Sequence, residues 1–463
     1  MTKKISRLVL LLFITSSSVF CQIPHLEGKI MVSVKLGTID ADITLKNLPN
    51  TNNYTIWLNS GLNIEYFRDQ NDQFNFSYNT TYNSDISSEA LQYYFPSNDN
   101  KSRYLPTAFK VKYTGKFPVI SDTTRAYDWE DWKGNIAFNA KTLRASEQSA
   151  WYPILYDIQN DLVIDKYSFN IEVECTDCQT LYLNGDEPKK TTIARFQSEQ
   201  AVPLLIFVGN YEFKEINNIF ILNSNLNINK LNTLTNTTNA IINFYERILK
   251  TPYGPPVVYL SSTPVSKKNE WMFVTYPTVA VIGIDKYKLD NYFDNETFQF
   301  KQKSNITFIA HELAHYYIGT MFVPNSKLKW LFLEGVTDYL SIKAAKEILG
   351  IETYNIIVTN YMNELQEFKP KPLNQIVNAN QINETYRYRY TPLLLLAIEN
   401  EIGEVKMYEW IKTLVNTKNQ MTDYEFFIQS LSKVGIPEKQ MNYLMENYIN
   451  NPNSKENIFN TLK

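Results

Sequence analysis

"HELAHYYIG", residues 311–319, decides how the second half of this chain is read. The 463 residues include only 3 histidines, and two of them, His311 and His315, stand four apart with Glu312 directly after the first. The surrounding "NITFIAHELAHYYIG" keeps apolar residues at helical spacing, with Asn305 or Ser304 available as a cap. The two imidazoles therefore lie one above the other on one helix face, where they can grip a single ion at about 2.0–2.1 Å. Eighteen residues separate His315 from Glu334, which sits in a second helical segment, "KWLFLEGVTDYLS". Two histidines and a glutamate leave a fourth position open for water, the arrangement of a catalytic rather than a structural zinc site holding one Zn2+. A histidine on an apolar face is usually a core residue with a satisfied hydrogen bond. With so few histidines, chance placement of two around a glutamate is on the order of one in a thousand.

Outward from this segment the chain divides by pattern. From about Gly28 to Glu199 it runs in short alternating, aromatic-rich segments such as "KIMVSVKLG", "NYTIWLN", "FKVKYTG", "NIAFNA" and "YSFNIEVE", broken by Asn, Asp, Ser and Gly. Beyond "LLIFVGNYEF" helical patterns dominate, with strand-like "VVYLSS" and "MFVTYPTVAVIG" among them. The expected fold class is α+β: a β saddle or sandwich over residues 23–200, then a mixed domain over 201–463 with a helical end.

The first 22 residues, "MTKKISRLVLLLFITSSSVFCQ", have a basic start, an apolar run from Leu8 to Ile14 and small residues near the end. This is the layout of a secretory signal and is too short for a membrane span, so the mature protein is expected to be exported to the periplasm, the exterior or the cell surface. Cys21 is a candidate lipid attachment point, although bulky Phe20 fits that processing poorly. Cys175 and Cys178 in "ECTDCQ" then remain, an even count that reads as a local disulfide; a redox dithiol or half a zinc knuckle are the alternatives. The hydrophobic share of 44%, charged share of 20% and net charge of −3 describe a globular protein with no basic field for a nucleic acid.

"HELAH", the 18-residue gap and "WLFLEG" together resemble the gluzincin signature of the aminopeptidase N family of zinc metallopeptidases. "SAWYPILYD" (149–157), "AVPLLIFVGNYEF" (201–213) and "YRYTPLLLLAIENEIG" (388–403) are similar to further family segments in the same order. The resemblance implies a β saddle followed by a thermolysin-like domain and a peptide or protein substrate. It also implies that His311, His315 and Glu334 are zinc ligands, that Glu312 is the general base, and that Tyr388 is the phenol that stabilises the transition state. Asp338, one helical turn after Glu334, faces the same side and either orients His311 through its other ring nitrogen or is a plain solvated or capping residue.

Two departures accompany the resemblance. The family's Gly-x-Met-Glu-Asn strand, whose glutamate holds the substrate's amino group, corresponds here to "MFVTYPTVAVIG". Thr275 stands in place of that glutamate, with Tyr276 beside it and the nearest acid at Glu270. The large helical carboxy-terminal domain of many members is expected to be missing, since 75 residues follow Tyr388. "LEGVTDYL" also resembles the related glycyl aminopeptidases. Three readings stay open: a metallopeptidase without strict amino-terminal anchoring, a true aminopeptidase with another amine anchor, and a non-catalytic zinc-binding scaffold.

Overall fold

"TIDADITLK" (Thr38–Lys46) shows how the first half is built. Its residues alternate between half-exposed and buried along the strand, so Ile39, Ala41, Ile43 and Leu45 face inward. Its outer face is charged, and Asp42 meets Lys110 of the neighbouring strand at 3.1 Å. The structure is a computed structural model that describes residues 23–70, 77–79, 90–97, 102–121, 136–254, 256–263, 271–282, 289–418 and 420–463. The expected signal segment, Cys21 and Glu270 lie outside the described residues.

Thr38–Lys46 belongs to a six-stranded sheet in the order Ile193–Pro203, Lys166–Glu174, His25–Ser33, Thr38–Lys46, Phe109–Lys116, Leu62–Asp69. All its pairings are antiparallel except that of His25–Ser33 with Lys166–Glu174. A five-stranded sheet is centred on Tyr54–Asn59, all of whose residues are buried. A four-stranded sheet runs Thr180–Leu183, Ile206–Gly209, Thr142–Ala145, Ala137–Phe138. Trp151 and Tyr152, both fully buried, tie these layers together: Trp151 Nε1 donates to Leu204 O at 3.1 Å, Tyr113 Oη donates to Trp151 O at 2.7 Å, and Tyr152 Oη donates to Asp165 O at 2.7 Å. Cys175 and Cys178 are joined by a disulfide. Asp177 between them accepts from Ser33 Oγ and from the Val34 and Lys35 amides, fastening the turn after the first strand.

A second five-stranded sheet opens the other half, in the order Phe213–Ile216, Ile219–Leu222, Val257–Ser261, Thr278–Ile282, Trp271–Thr275. The helices of this half are α1 (Ile228–Leu249), α2 (Lys303–Ala314), α3 (Thr337–Leu349), α4 (Ile351–Glu364), α5 (Thr391–Ile402), α6 (Glu404–Val415) and shorter ones to Leu462. Asn227 caps α1 by accepting from the Lys230 amide. The fold is α+β, a β-rich first part followed by a mixed, largely helical one. Among the described residues no helix is long and apolar enough to cross a membrane.

"MFVTYPTVAVIG" reads as one edge strand by its strand-like residues. The chain instead folds it into a hairpin, Trp271–Thr275 antiparallel to Thr278–Ile282, with Tyr276 and Pro277 in the turn. Pro277 has no amide hydrogen and interrupts the ladder there. A buried cluster of Tyr182, Leu205, Phe207, Phe220, Val258, Phe273 and Ala280 joins the hairpin's sheet to the four-stranded sheet. Polar contacts fix its tip: Asn184 Nδ2 donates to Tyr276 O at 2.6 Å, and Thr278 Oγ1 donates to Asn184 Oδ1 at 2.5 Å.

Candidate metal centre

The first half of α2 carries the exposed residues Lys303 and Ser304, while Ile309 to Ala314 are buried. Its N-cap is Gln302, in extended backbone, so Ser304 and Asn305 lie inside the first turn rather than capping it; Ser304 Oγ donates to Gln302 Oε1 at 3.3 Å. His311 and Glu312 sit on the last helical turn, and His315 is the C-cap. Tyr245 Oη of α1 donates to Ala310 O at 2.8 Å and pins this end of the helix from behind.

Glu334 comes from a π-helical segment, Leu331–Val336, that runs directly into α3. One Glu334 oxygen stands 3.3 Å from His311 Nε2 and 3.6 Å from His315 Nε2. Donors bound tetrahedrally at about 2.0–2.1 Å from one centre lie roughly 3.3–3.4 Å apart, so the spacing fits a zinc ion. The chemistry of the set, two imidazoles and a carboxylate, fits it as well. The remaining ring nitrogens are held from outside. His315 Nδ1 is 3.1 Å from Ile318 O, and His311 Nδ1 is 3.4 Å from Asp338 Oδ1. Those contacts place the Nδ1 protons outward and turn both Nε2 atoms toward Glu334.

Asp338 is itself fastened, accepting from Tyr361 Oη of α4 at 3.0 Å. Burial disfavours a charged His311, but the Asp338 and Glu334 carboxylates outweigh it and raise its pKa. His315 goes the other way, lowered by burial despite Glu334. Burial would raise Glu334, yet His311, His315 and Tyr388 hold it well below the usual carboxylate range. The Glu334 and Asp338 carboxylates thus stand on either side of the His311 imidazole, with Glu334 also against His315, a donor set and charge that suit a divalent cation.

Tyr388 belongs to a second π-helical segment, Tyr386–Tyr390, leading into α5. Its ring is 6.0 Å from that of His311, and its hydroxyl interacts with the Glu334 carboxylate. Burial, then the Glu334 charge, push its pKa well above the ordinary phenol value. Glu312 is buried at 7% exposure, and its charge is felt by both His311 and Tyr388. His311, Glu312, His315, Glu334, Asp338 and Tyr388 thus share one site. Thr275 and Tyr276 lie at the hairpin tip, both buried; Thr275 Oγ1 donates to Glu147 Oε2 at 2.9 Å, and Tyr276 stacks on Tyr316 at 5.0 Å.

Sequence reasoning missed Tyr361, Glu147, Lys166 and Arg387. Lys166 Nζ donates to Gly319 O, and its charge reaches His315. Tyr361, Glu147 and Lys166 approach from distant segments and carry no local motif. Arg387 alone had a visible signal, its place beside Tyr388 in "YRYRY".

No family model and no curated protein matches the chain. Solved structures do. The native yeast LTA4 hydrolase superposes with a TM-score of 0.65 at 16% identity, over 91% of this chain and 66% of that enzyme, so the chain spans just under two thirds of it. The M1 zinc metallopeptidase from Deinococcus radiodurans gives 0.59 at 13% identity, over 93% of this chain and 95% of that one. A mutant of the latter bound to a Tyr-Ser-Ala substrate gives 0.60 at 12% identity, over 93% and 96%. The chain has the fold of M1 zinc metallopeptidases and LTA4 hydrolase.

Proposed function

We propose that this chain is an exported zinc-dependent metallopeptidase of the aminopeptidase N-like gluzincin type, acting on peptides without strict amino-terminal anchoring. One observation carries the reading: both Nε2 atoms converge on a single Glu334 oxygen, at 3.3 and 3.6 Å, with Glu312 between the histidines on the same helix. His311, His315 and Glu334 would hold the ion. Bound there, zinc supplies Lewis acidity and brings the pKa of a water to about 7. Glu312, beside that position, would serve as the general base, taking a proton from the attacking water and returning it to the departing amine. Tyr388, whose raised pKa keeps it protonated, donates to the developing oxyanion.

A second reading, a true aminopeptidase with a different amine anchor, is favoured by Glu147. Thr275 takes the place of the family's glutamate, and the carboxylate it touches is Glu147, from the first half of the chain. One experiment tests both readings: cleavage of matched peptides with free and acetylated amino termini, with and without chelator, by wild type and Glu312→Gln. Internal cuts insensitive to acetylation support the first reading. Stepwise removal of amino-terminal residues, lost on acetylation, replaces it with the second. Zinc binding with no cleavage above the Glu312→Gln level sinks both and leaves a binding scaffold.

A further inference from the structure

Arg387 adjoins Tyr388 and is used by none of the chemistry above. Its guanidinium carbon stands 4.8 Å from the centre of the Trp330 ring and 5.0 Å from that of Tyr388. Two aromatic rings hold the planar fork in place before any ligand arrives. Its hydrogen bonding is nevertheless incomplete. Nε is shielded from solvent and has no acceptor, and its ion pair is a loose one: Nη2 lies 3.6 Å from Glu384 Oε1, on a side chain 85% exposed. A carboxylate so exposed and so distant is a weak partner that water competes for. Arg389, two residues on, shows the contrast, with Nε 2.5 Å from Glu364 Oε2 and the guanidinium 4.5 Å from the Tyr361 ring. A second cation shares the Trp330 ring: Lys329 Nζ is 5.7 Å from its centre, its own partner Asp161 being 3.5 Å away and 68% exposed.

The distance to the metal cluster is short. The 5.0 Å from Arg387 to the Tyr388 ring and the 6.0 Å from that ring to His311 put the guanidinium no more than about 11 Å from the His311 ring. An extended peptide covers that distance in about three residues. The guanidinium side chain is 20% exposed, which gives an entering group access to its edge.

We infer that Arg387 recognises a carboxylate of the substrate. The site selects peptides carrying a carboxylate within about three residues of the scissile bond, either an Asp or Glu side chain or a free carboxy terminus, and that group displaces Glu384 from the Arg387 fork. The inference rests on the peptidase reading of the same site.

The test uses one peptide in four forms: Asp or Asn at a position inside that window, each with a free or amidated carboxy terminus. Cleavage is measured with wild type, Arg387→Gln, Arg387→Lys and Glu384→Gln, each checked for an unchanged melting temperature. Binding is measured by calorimetry with Glu312→Gln and with Glu312→Gln/Arg387→Gln. Loss of the recognised carboxylate is expected to lower wild-type kcat/KM by about 10- to 100-fold, mainly through KM. In Arg387→Gln the difference between forms shrinks to about twofold or less, Arg387→Lys restores part of it, and Glu384→Gln enlarges it. The Asn arm and the amide arm identify which carboxylate is read. Equal cleavage of all four forms by wild type, with equal binding of all four to Glu312→Gln, overturns the inference while leaving a peptidase. So does a uniform fall in kcat for every form in Arg387→Gln with the preference intact, since Arg387 would then act only on Tyr388. Arg387-dependent binding of the carboxylate forms with no cleavage of any overturns the peptidase reading and supports the inference.

Discussion

Glu312 and Asp338 are both buried acids beside His311, yet the site asks different things of them. Glu312 is flanked by the two histidines along α2, whereas Asp338 faces the outer nitrogen of His311 from α3 and is itself held by Tyr361. Their substitutions should separate cleanly. Glu312→Gln is expected to lower kcat by about 10²- to 10⁴-fold with one zinc still bound per chain, measured by peptide turnover alongside metal analysis. Asp338→Asn should instead weaken zinc binding by about 10- to 100-fold in a chelator competition. Equal zinc affinity in Asp338→Asn and wild type would reduce Asp338 to a buried structural acid. Tyr388 carries a pH prediction. An ordinary phenol is half-ionised near pH 10, and burial together with the Glu334 charge raises Tyr388 above that value. The sign is that of an acid whose charged form the fold disfavours, so the proton stays on as pH climbs. In chelator-treated protein the ultraviolet difference titration between wild type and Tyr388→Phe should be flat through about pH 10.5; a tyrosinate step below pH 10 would contradict it.

Two π-helical segments, Leu331–Val336 and Tyr386–Tyr390, deliver Glu334 and Tyr388, and they meet at Gly335. A Cβ on Gly335 would come 2.3 Å from Thr391 Cγ2 and 3.3 Å from Arg387 O. Thr391 cannot easily yield, being buried with its hydroxyl donating to Tyr386 O at 3.0 Å. Gly335→Ala should therefore push the two segments apart, costing about 1–3 kcal/mol of stability and on the order of 100-fold in kcat through misplacement of Glu334 and Tyr388. A melting curve and peptide turnover check it together; wild-type kcat with a lowered melting point would mean that the segments part without disturbing the site. The same elements show what the sequence made legible. Helix α2 and its histidines could be read because gripping one ion from one helix needs a fixed local spacing, and the β-rich first part could be read because half-buried strands alternate. Neither π segment has a local signature, since the extra residue per turn is set by what packs against it. The hairpin at Thr275 was hidden because both its strands are short apolar runs that read together as one strand, leaving Pro277 as the mark of the turn.

The two halves of the molecule meet in part through the hairpin of Thr275 and Tyr276, which packs on the four-stranded sheet and is hydrogen-bonded to it. Asn184 is the central polar link. It is fully buried; its Nδ2 donates to Pro203 O at 2.8 Å and to Tyr276 O at 2.6 Å, and its Oδ1 accepts from Thr278 Oγ1 at 2.5 Å. Tyr182 Oη meets the same Thr278 hydroxyl at 2.6 Å, so Thr278 keeps one partner when Asn184 is truncated while the Pro203 and Tyr276 carbonyls lose the Asn184 donor. Each buried group left unmatched costs about 1–3 kcal/mol. Asn184→Ala is accordingly expected to lower stability by about 2–5 kcal/mol in denaturant unfolding. The kinetic consequence follows from geometry. The metal cluster is built on α2, α3 and the two π segments, whereas the side-chain hydrogen bonds of Asn184 run to Tyr182, Pro203, Tyr276 and Thr278, so it is the hairpin tip that depends on it. At a temperature where the variant is folded, KM for peptides should rise by several-fold while kcat at saturation changes little, because positioning is loosened and the reacting groups are not. A variant that melts earlier but keeps its KM would show that the hairpin tip braces the two halves without lining the path of the substrate.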